Sequence, residues 1–456
     1  MKPREISISA KLAQTAAIFL VTSIISLLIL AKTSPIVWED HFQIGQNLRS
    51  TGTLTIDDVP SIFRPPGYPG FVAASLWIGD VISAPRGVPY NRVTQRDQRI
   101  VVFAQGFLLG AMAAALYFWA SLWGGLVPAA GIALTAALNP YSLALANLTS
   151  YHLLFAVLTI FSTLGLFLLR RSSSSGLTAA GVGVLWGLTS LVKPVTLVIP
   201  FFFAPLILIR WRLRPAIRSI VLIVLGMILV VGPYVGRNYL ITGQPIVTAQ
   251  GGFAFWGTSI ERLGPNEPFL VWQPIWWKYG MPIFSKVTGS AQYSGALMNA
   301  YALQLNAEFS EEATRNITAA PEVYLHNVLR NFISFNLDTM GFWNKFFVAH
   351  NKRVVQIVSE FWIICLMMLA AAGAIWGCAR HDEDAMAVAA IYLGIVVAHS
   401  ISFATELYTI AKLPSILLGF ALLLRRLESI PRYGVLTRAS ACTMAAVGLL
   451  ISILAV

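Results

Sequence analysis

Eleven stretches of this chain are apolar and almost free of charge, and their recurrence limits the fold more than any single motif does. They run at about 14–31, 100–121, 126–145, 152–169, 177–191, 195–209, 219–236, 354–376, 384–403, 407–424 and 439–456, with 177–191 and 195–209 the short ones. A helix of about 20 apolar residues crosses the roughly 30 Å hydrocarbon core of a bilayer. In lipid every backbone N–H and C=O must find its partner within the segment, so runs of this kind fold as helices. Hydrophobic residues make up 57% of the 456 positions and charged residues only 11%, far from the roughly 25% of a soluble domain. The expected fold class is an all-α polytopic membrane protein. It has about eleven transmembrane helices and interfacial helices in two long external loops.

The net charge of +12 is read as orientation rather than as affinity for nucleic acid, because Lys and Arg stay on the cytoplasmic side of short loops. With the N-terminus inside, the cytoplasmic segments hold 14 of the 32 basic residues and only five of the 20 acids. The first span follows Met1-Lys-Pro-Arg with no small-residue cleavage site after it, so it is expected to remain as an anchor. Two long segments, 32–99 and 237–353, then fall outside. The expected organisation is an N-terminal transmembrane module (1–236) containing the first external loop, an external region (237–353), and C-terminal transmembrane helices (354–456). Trp and Tyr are dense in the second segment, as in Glu267-Pro-Phe-Leu-Val-Trp-Gln-Pro-Ile-Trp-Trp-Lys-Tyr, which suits helices lying in a membrane interface. Residues 67–82 are apolar enough for one such helix or a shallow re-entrant segment. The three cysteines (Cys365, Cys378, Cys442) lie in or beside apolar runs, where no disulfide framework is expected.

The first external loop opens Trp38-Glu39-Asp40-His41-Phe42-Gln43-Ile44-Gly45-Gln46-Asn47-Leu48. Glu39 or Asp40 would start a short helix anchored by Phe42, Ile44 and Leu48. A carboxylate is then held at the bilayer surface, beside low-dielectric protein that favours base chemistry. The bland alternative is two acids marking a membrane exit. Asp57 and Asp58 lie in a Thr/Gly-rich stretch where acids usually shape a turn. The six histidines are scattered without metal-ligand spacing.

Asp40 to Leu48, followed by Gly52 and Phe63-Arg64-Pro65-Pro66-Gly67-Tyr68-Pro69, resembles the first external loop of the type C superfamily of polyprenyl-phosphate-sugar-dependent glycosyltransferases. Protein O-mannosyltransferases and aminoarabinose transferases are among its members. Gly187-Leu-Thr-Ser-Leu-Val-Lys193-Pro194 is similar to a second family segment, with Lys in place of Arg. Gly232-Pro-Tyr-Val-Gly-Arg237-Asn238-Tyr239 is similar to a third.

The resemblance implies transfer of a sugar from a polyprenyl phosphate to a lipid, glycan or protein acceptor on the outer face, by inverting displacement. It makes Asp40 the base, with Glu39 as runner-up. It assigns Arg237 and Asn238 to the donor phosphate, with Lys193 and Arg64 as further candidates and His152 as a histidine of the interface before a site residue. Arg suits a departing phosphate because its planar fork pairs two oxygens. The resemblance fixes no cofactor: a divalent cation held by Glu39, Asp40 and the donor phosphate is compatible with the family, some members of which use one and others not. The implied location is a bacterial inner membrane with the site external. The rival readings are a transporter or flippase of lipid-linked substrates, which lacks support in the form of an internal repeat, and an O-antigen ligase or polymerase.

Overall fold

The computed structural model describes residues 8–37, 39–82, 94–123, 125–171, 176–210, 213–260, 276–337, 353–402, 411–430 and 433–455. Helices α1 (Ile8–Leu30), α2 (Glu39–Thr51), α3 (Gly67–Ile82) and α4 (Gln95–Ser121) come first, followed by α5 (Leu126–Ala137), α6 (Pro140–Asn147) and α7 (Tyr151–Arg171). Next are α8 (Gly176–Val192), a 3-10 turn (Pro194–Val198), α9 (Ile199–Arg210) and α10 (Leu213–Thr242). The external region contributes α11 (Gly251–Ser259), α12 (Met281–Thr288), α13 (Gly295–Ala300), α14 (Ala302–Ala319) and α15 (Pro321–Leu337). The chain closes with α16 (Arg353–Ala379), α17 (Glu383–Ile401), α18 (Leu413–Glu428) and α19 (Gly434–Ala455).

Over the described residues the apolar runs fall mainly on helical segments; run 195–209 begins in a 3-10 turn, and positions 403, 407–410 and 456 lie outside the described residues. Among the described residues seven helices are long and apolar enough to cross a membrane, α1, α4, α7, α10, α16, α17 and α19, with an eighth span if the bent pair α5–α6 counts as one. The pair bends by 43° at Asn139, for a local reason. The Asn139 side chain donates to the carbonyls of Thr135 and Ala136 at 2.9 and 2.8 Å and accepts from the Ser142 N–H at 2.9 Å. It thus caps α5 and starts α6 at once, while Pro140 at the first position has no N–H to lose. Helices α8 and α9 are the shorter apolar pair.

Two buried clusters fill the bundle. One joins α4 to α7 with the C-terminal helices α16, α18 and α19. The other gathers α2, α3, α7 to α10 and α17 around Tyr68, Trp186 and Phe335. The residues that connect α17 to its neighbours at the end remote from the first loop form an ion cluster, in which Asp382 meets Arg425 and Arg426 and Asp384 meets Arg425. Those guanidinium groups hold the Asp382 carboxyl below its ordinary value, although its burial works the other way.

Helices α11 to α14 of the external region share a core of their own. Phe253, Trp256, Trp276, Phe284 and Phe309 pack ring against ring, with Trp256 and Phe309 centroids 4.8 Å apart. They make a third core with Ile62 and Phe63 of the first loop. The aromatic density seen in the sequence serves that core as well as a membrane surface: Trp276 is buried, while Trp277 is exposed. Much of the Glu267 to Tyr279 motif lies outside the described residues.

Candidate active site

Two short pairings bring the first loop back over the bundle. Strand β1 (Ile36–Val37) runs parallel to β4 (Leu148–Thr149), with Ile36 opposite Leu148. The contact is locked by Asn147 donating to the Ser34 carbonyl at 2.8 Å and Thr149 Oγ1 donating to Ile36 at 3.1 Å. This places the start of α2 beside the start of α7. Strands β2 (Thr55–Ile56) and β3 (Val59–Pro60) form a hairpin whose two turn residues, Asp57 and Asp58, have φ of 46° and 63°. That left-handed pair is the geometry of a two-residue hairpin turn, which Asp tolerates. Asp57 and Asp58 are therefore turn residues, and Asp57 also accepts from Gln43 Nε2 at 2.6 Å.

Asp40 lies in the first turn of α2 and pairs with Arg64, whose Nη2 donates to Oδ2 at 2.9 Å; each side chain is 19% exposed. The backbone leading to Arg64 is held from several sides. Thr248 Oγ1 donates to the Phe63 carbonyl at 2.6 Å, the Ala249 N–H to Ile62 at 3.1 Å, and the Tyr234 hydroxyl to Arg64 at 3.2 Å. The Phe63 N–H donates to Asn299 Oδ1 at 3.2 Å. After Pro65-Pro66, Gly67 lies so close to α8 that a Cβ there would come within 2.7 Å of the Leu191 carbonyl. The Arg64 guanidinium is thus aimed by fixed backbone. Burial opposes its charge, but Asp40 outweighs burial and raises its pKa.

Tyr293 closes the pair from the external region, with its hydroxyl 3.5 Å from Asp40 Oδ2. Burial first, and Asp40 second, push the Tyr293 hydroxyl up to about 12, so it stays protonated. Its ring packs on Trp276 and Phe284 at 5.8 Å each. Gly295 lies against the same carboxylate: a Cβ there would come within 3.1 Å of Asp40 Oδ1.

Behind Asp40, His41 is 1% exposed between Tyr68 and Tyr151, at 5.8 and 5.4 Å between ring centroids. Among the described residues neither ring nitrogen has a hydrogen-bond partner. Burial, with Arg64 adding to it, holds His41 well below its ordinary pKa, so the ring is neutral. Tyr151 stacks at 4.2 Å on His152. His152 is 1% exposed, buried within the protein. Lys193, in the turn after α8, is 7% exposed and places its ammonium 5.9 Å from the Tyr151 ring and 5.2 Å from Phe155. Burial brings its pKa down to about 7.

Arg237 and Asn238 are differently employed. Arg237 donates to the carbonyls of Ser61 and Leu54, both at 3.0 Å, and to Asn238 Oδ1 at 2.9 Å. Fully buried Asn238 donates to Ile246 at 3.0 Å and Val247 at 3.3 Å. The pair ties the end of α10 to the hairpin on one side and to residues 246–247 on the other. Three hydrogen bonds from one guanidinium, two to main-chain carbonyls and one to the neighbouring amide oxygen, fit a clamp. Loss of the clamp has a measurable cost: Arg237→Ala leaves two carbonyls without a charged donor, each worth about 1–3 kcal/mol. The expected result is a lower thermal midpoint in detergent, with Arg237→Lys recovering part of it. An unchanged midpoint in Arg237→Ala would remove the clamp.

Glu39 begins α2, and its side chain lies outside the described residues, as do Glu406 and Tyr408. No cluster of three metal-ligating side chains occurs among the described residues. One oxygen of Asp40 is already engaged by a guanidinium. Sequence reasoning missed Tyr293, His41, Tyr151 and Gly295 as members of this site. Only for His41, adjacent to the candidate acids, was there a local signal.

No protein-family model matches this chain, and no curated protein matches it. Solved structures do. The oligosaccharyltransferase AglB from Archaeoglobus fulgidus, in complex with an inhibitory peptide and a dolichol-phosphate, superposes with a TM-score of 0.53 at 11% identity over 97% of this chain and 55% of that one. The apo form of the same organism's oligosaccharyltransferase gives 0.50 at 11% identity, over 97% and 54%. ArnT from Cupriavidus metallidurans bound to undecaprenyl phosphate gives 0.42 at 14% identity, over 91% and 78%. The chain thus spans about half the length of the oligosaccharyltransferase it matches. Over nearly its whole length the chain shares the fold of that archaeal oligosaccharyltransferase, at low sequence identity.

Proposed function

We propose that this protein transfers a sugar from a polyprenyl-phosphate donor to an acceptor on the external face of a membrane, with inversion at the anomeric carbon. The observation that carries the reading is the Asp40–Arg64 pair, a carboxylate and a cation fixed 2.9 Å apart at the exit of the first span, on a fold shared with a protein solved with dolichol-phosphate. A displacement at one carbon needs a base on the acceptor side and a cation on the leaving phosphate, held close together.

Arg64 pairs with Asp40. A donor phosphate offers Arg64 a better partner, because the planar fork takes two of its oxygens. Releasing the carboxylate in that exchange frees Asp40 to take the acceptor hydroxyl proton. Tyr293, protonated and over the pair, supplies a neutral donor to the phosphate or to Asp40. Lys193 adds a second cation deeper in the bundle, and His41 has unfilled hydrogen-bonding capacity for a ligand hydroxyl. Arg237 and Asn238 act by holding the loop that aims Arg64. Glu39 remains the alternative base. The site faces outside under the charge asymmetry of the loops, and a bacterial inner membrane is the proposed setting.

The test uses purified protein in nanodiscs with radiolabelled polyprenyl-phosphate sugars and crude envelope acceptors. Release of polyprenyl phosphate with label in the acceptor supports transfer. Donor moving across vesicles without consumption would replace the reading with a flippase. A pH series adds a signature. Lys193 is cationic below about 7, so the donor KM should rise as pH rises through that range, and Lys193→Met should flatten the rise. A donor KM independent of pH in the wild type would take Lys193 out of phosphate binding.

A further inference from the structure

Gln105 is a fully buried amide in the spanning helix α4, in the half of that helix nearer the first loop. A side-chain amide inside a bundle is costly unless its hydrogen-bonding groups are met. Its Nε2 donates to the carbonyl of Ala146 at 2.8 Å and to that of Leu148 at 3.0 Å. Its oxygen accepts from the Tyr68 hydroxyl at 3.2 Å. These bonds do more than satisfy one amide, because the groups they hold lead to both members of the Asp40–Arg64 pair.

The first arm runs through β4. Ala146 lies in the last turn of α6, and Leu148 is the first residue of β4. Strand β4 pairs with β1, Ile36 opposite Leu148 and Val37 opposite Thr149. Helix α2 starts at Glu39, two residues after that pairing ends, so a fixed β4 fixes the first turn that carries Asp40.

The second arm runs through Tyr68, in the first turn of α3. Only Pro65, Pro66 and Gly67 separate it from Arg64, and each proline leaves little freedom about φ. Holding the Tyr68 hydroxyl therefore holds the start of α3 and, with it, the backbone of Arg64. The Tyr68 ring also packs edge-on against His41, the neighbour of Asp40, at 5.8 Å between centroids. A side chain whose sole task is to cap α6 needs its N–H groups and no partner at its oxygen. Here the oxygen ties in α3, so one planar amide links the segment that places Asp40 to the segment that places Arg64.

We infer that Gln105 is a positioning residue for the transfer site, setting Asp40 and Arg64 relative to each other through β4 and Tyr68. The role in transfer rests on the reading of those two side chains as base and phosphate cation.

The test compares Gln105→Met, which keeps the volume and loses all three bonds, with Tyr68→Phe, which loses only the arm to α3. Each protein, in nanodiscs, is assayed for initial rates and thermal midpoint. Carbethoxylation of His41 by diethyl pyrocarbonate is read by mass spectrometry, with the exposed His381 as reference. In Gln105→Met, kcat per folded molecule should fall about 10- to 100-fold, the cost of misplacing a catalytic group by roughly 1 Å. Tyr68→Phe should lose less, in the same direction, and it carries the test if Gln105→Met does not fold. In the Asp40→Asn background either substitution should cost less than about threefold, because a residue that acts through Asp40 has little left to lose. A residue that only stabilises the fold would lower the midpoint and leave kcat per folded molecule alone. Unchanged kcat, or equal losses in the two backgrounds, would therefore overturn the positioning role. His41, 1% exposed in the native fold, should be labelled faster in both variants, and this arm needs no substrate. Wild-type protein that transfers no sugar would sink the proposed function, and faster labelling of His41 would leave the tie standing without it. Labelling no faster than in the wild type would overturn the tie itself.

Discussion

Asp40→Asn is expected to lower sugar transfer by roughly 10²–10⁴-fold, the range that a positioned general base contributes. The amide matches the carboxylate in size and can still accept from Arg64 and Tyr293, so the fold and donor binding should survive. What it lacks is the capacity to take the acceptor proton. The measurement is initial rate at saturating donor and acceptor, with the thermal midpoint recorded on the same sample. If Asp40→Asn keeps near-wild-type activity while Glu39→Gln is inactive, the base is Glu39. If both remain fully active, the first turn of α2 holds no base.

Removal of Arg64 should come next in size. Arg64→Met is expected to reduce kcat/KM by roughly 10²–10³-fold, comparable to loss of one preorganised donor to a developing negative charge. Charge builds on the phosphate as the glycosidic bond breaks, so kcat should fall as well as donor affinity. Arg64→Lys should recover only part, because an ammonium is a point charge where the guanidinium grips two oxygens. A purely structural partner of Asp40 would behave differently: the midpoint would drop and the activity of the surviving protein would not. Full activity in the Lys variant would likewise remove the two-oxygen grip.

The Arg237 result separates residues that touch the chemistry from those that hold the loop. The Gly-Arg-Asn-Tyr segment is assigned to the donor phosphate by its family resemblance and its external location. A sequence motif records that an Arg is needed there but not which oxygens it meets. The hairpin supplies those oxygens in this fold, at Leu54 and Ser61, and hairpin and helix end are well over a hundred positions apart in the chain.

The sequence by itself determined where the chain enters lipid. Hydrocarbon leaves the backbone no partner but itself, and over the described residues the apolar runs fall mainly on helical segments. It also determined α3, whose bounds Gly67–Ile82 follow from an apolar run after Pro-Pro, and the turn at Asp57-Asp58, where two small polar residues accept left-handed backbone. These are local matters of periodicity and backbone preference. Only the tertiary structure decided which groups meet. Tyr293 reaches Asp40 from 253 positions away, across a loop folded by its own aromatic core. His41 is buried because β1 pairs with β4 and draws α2 onto α7. The amides of α15 find carbonyls on α11 and α17, partners that lie far away in the chain.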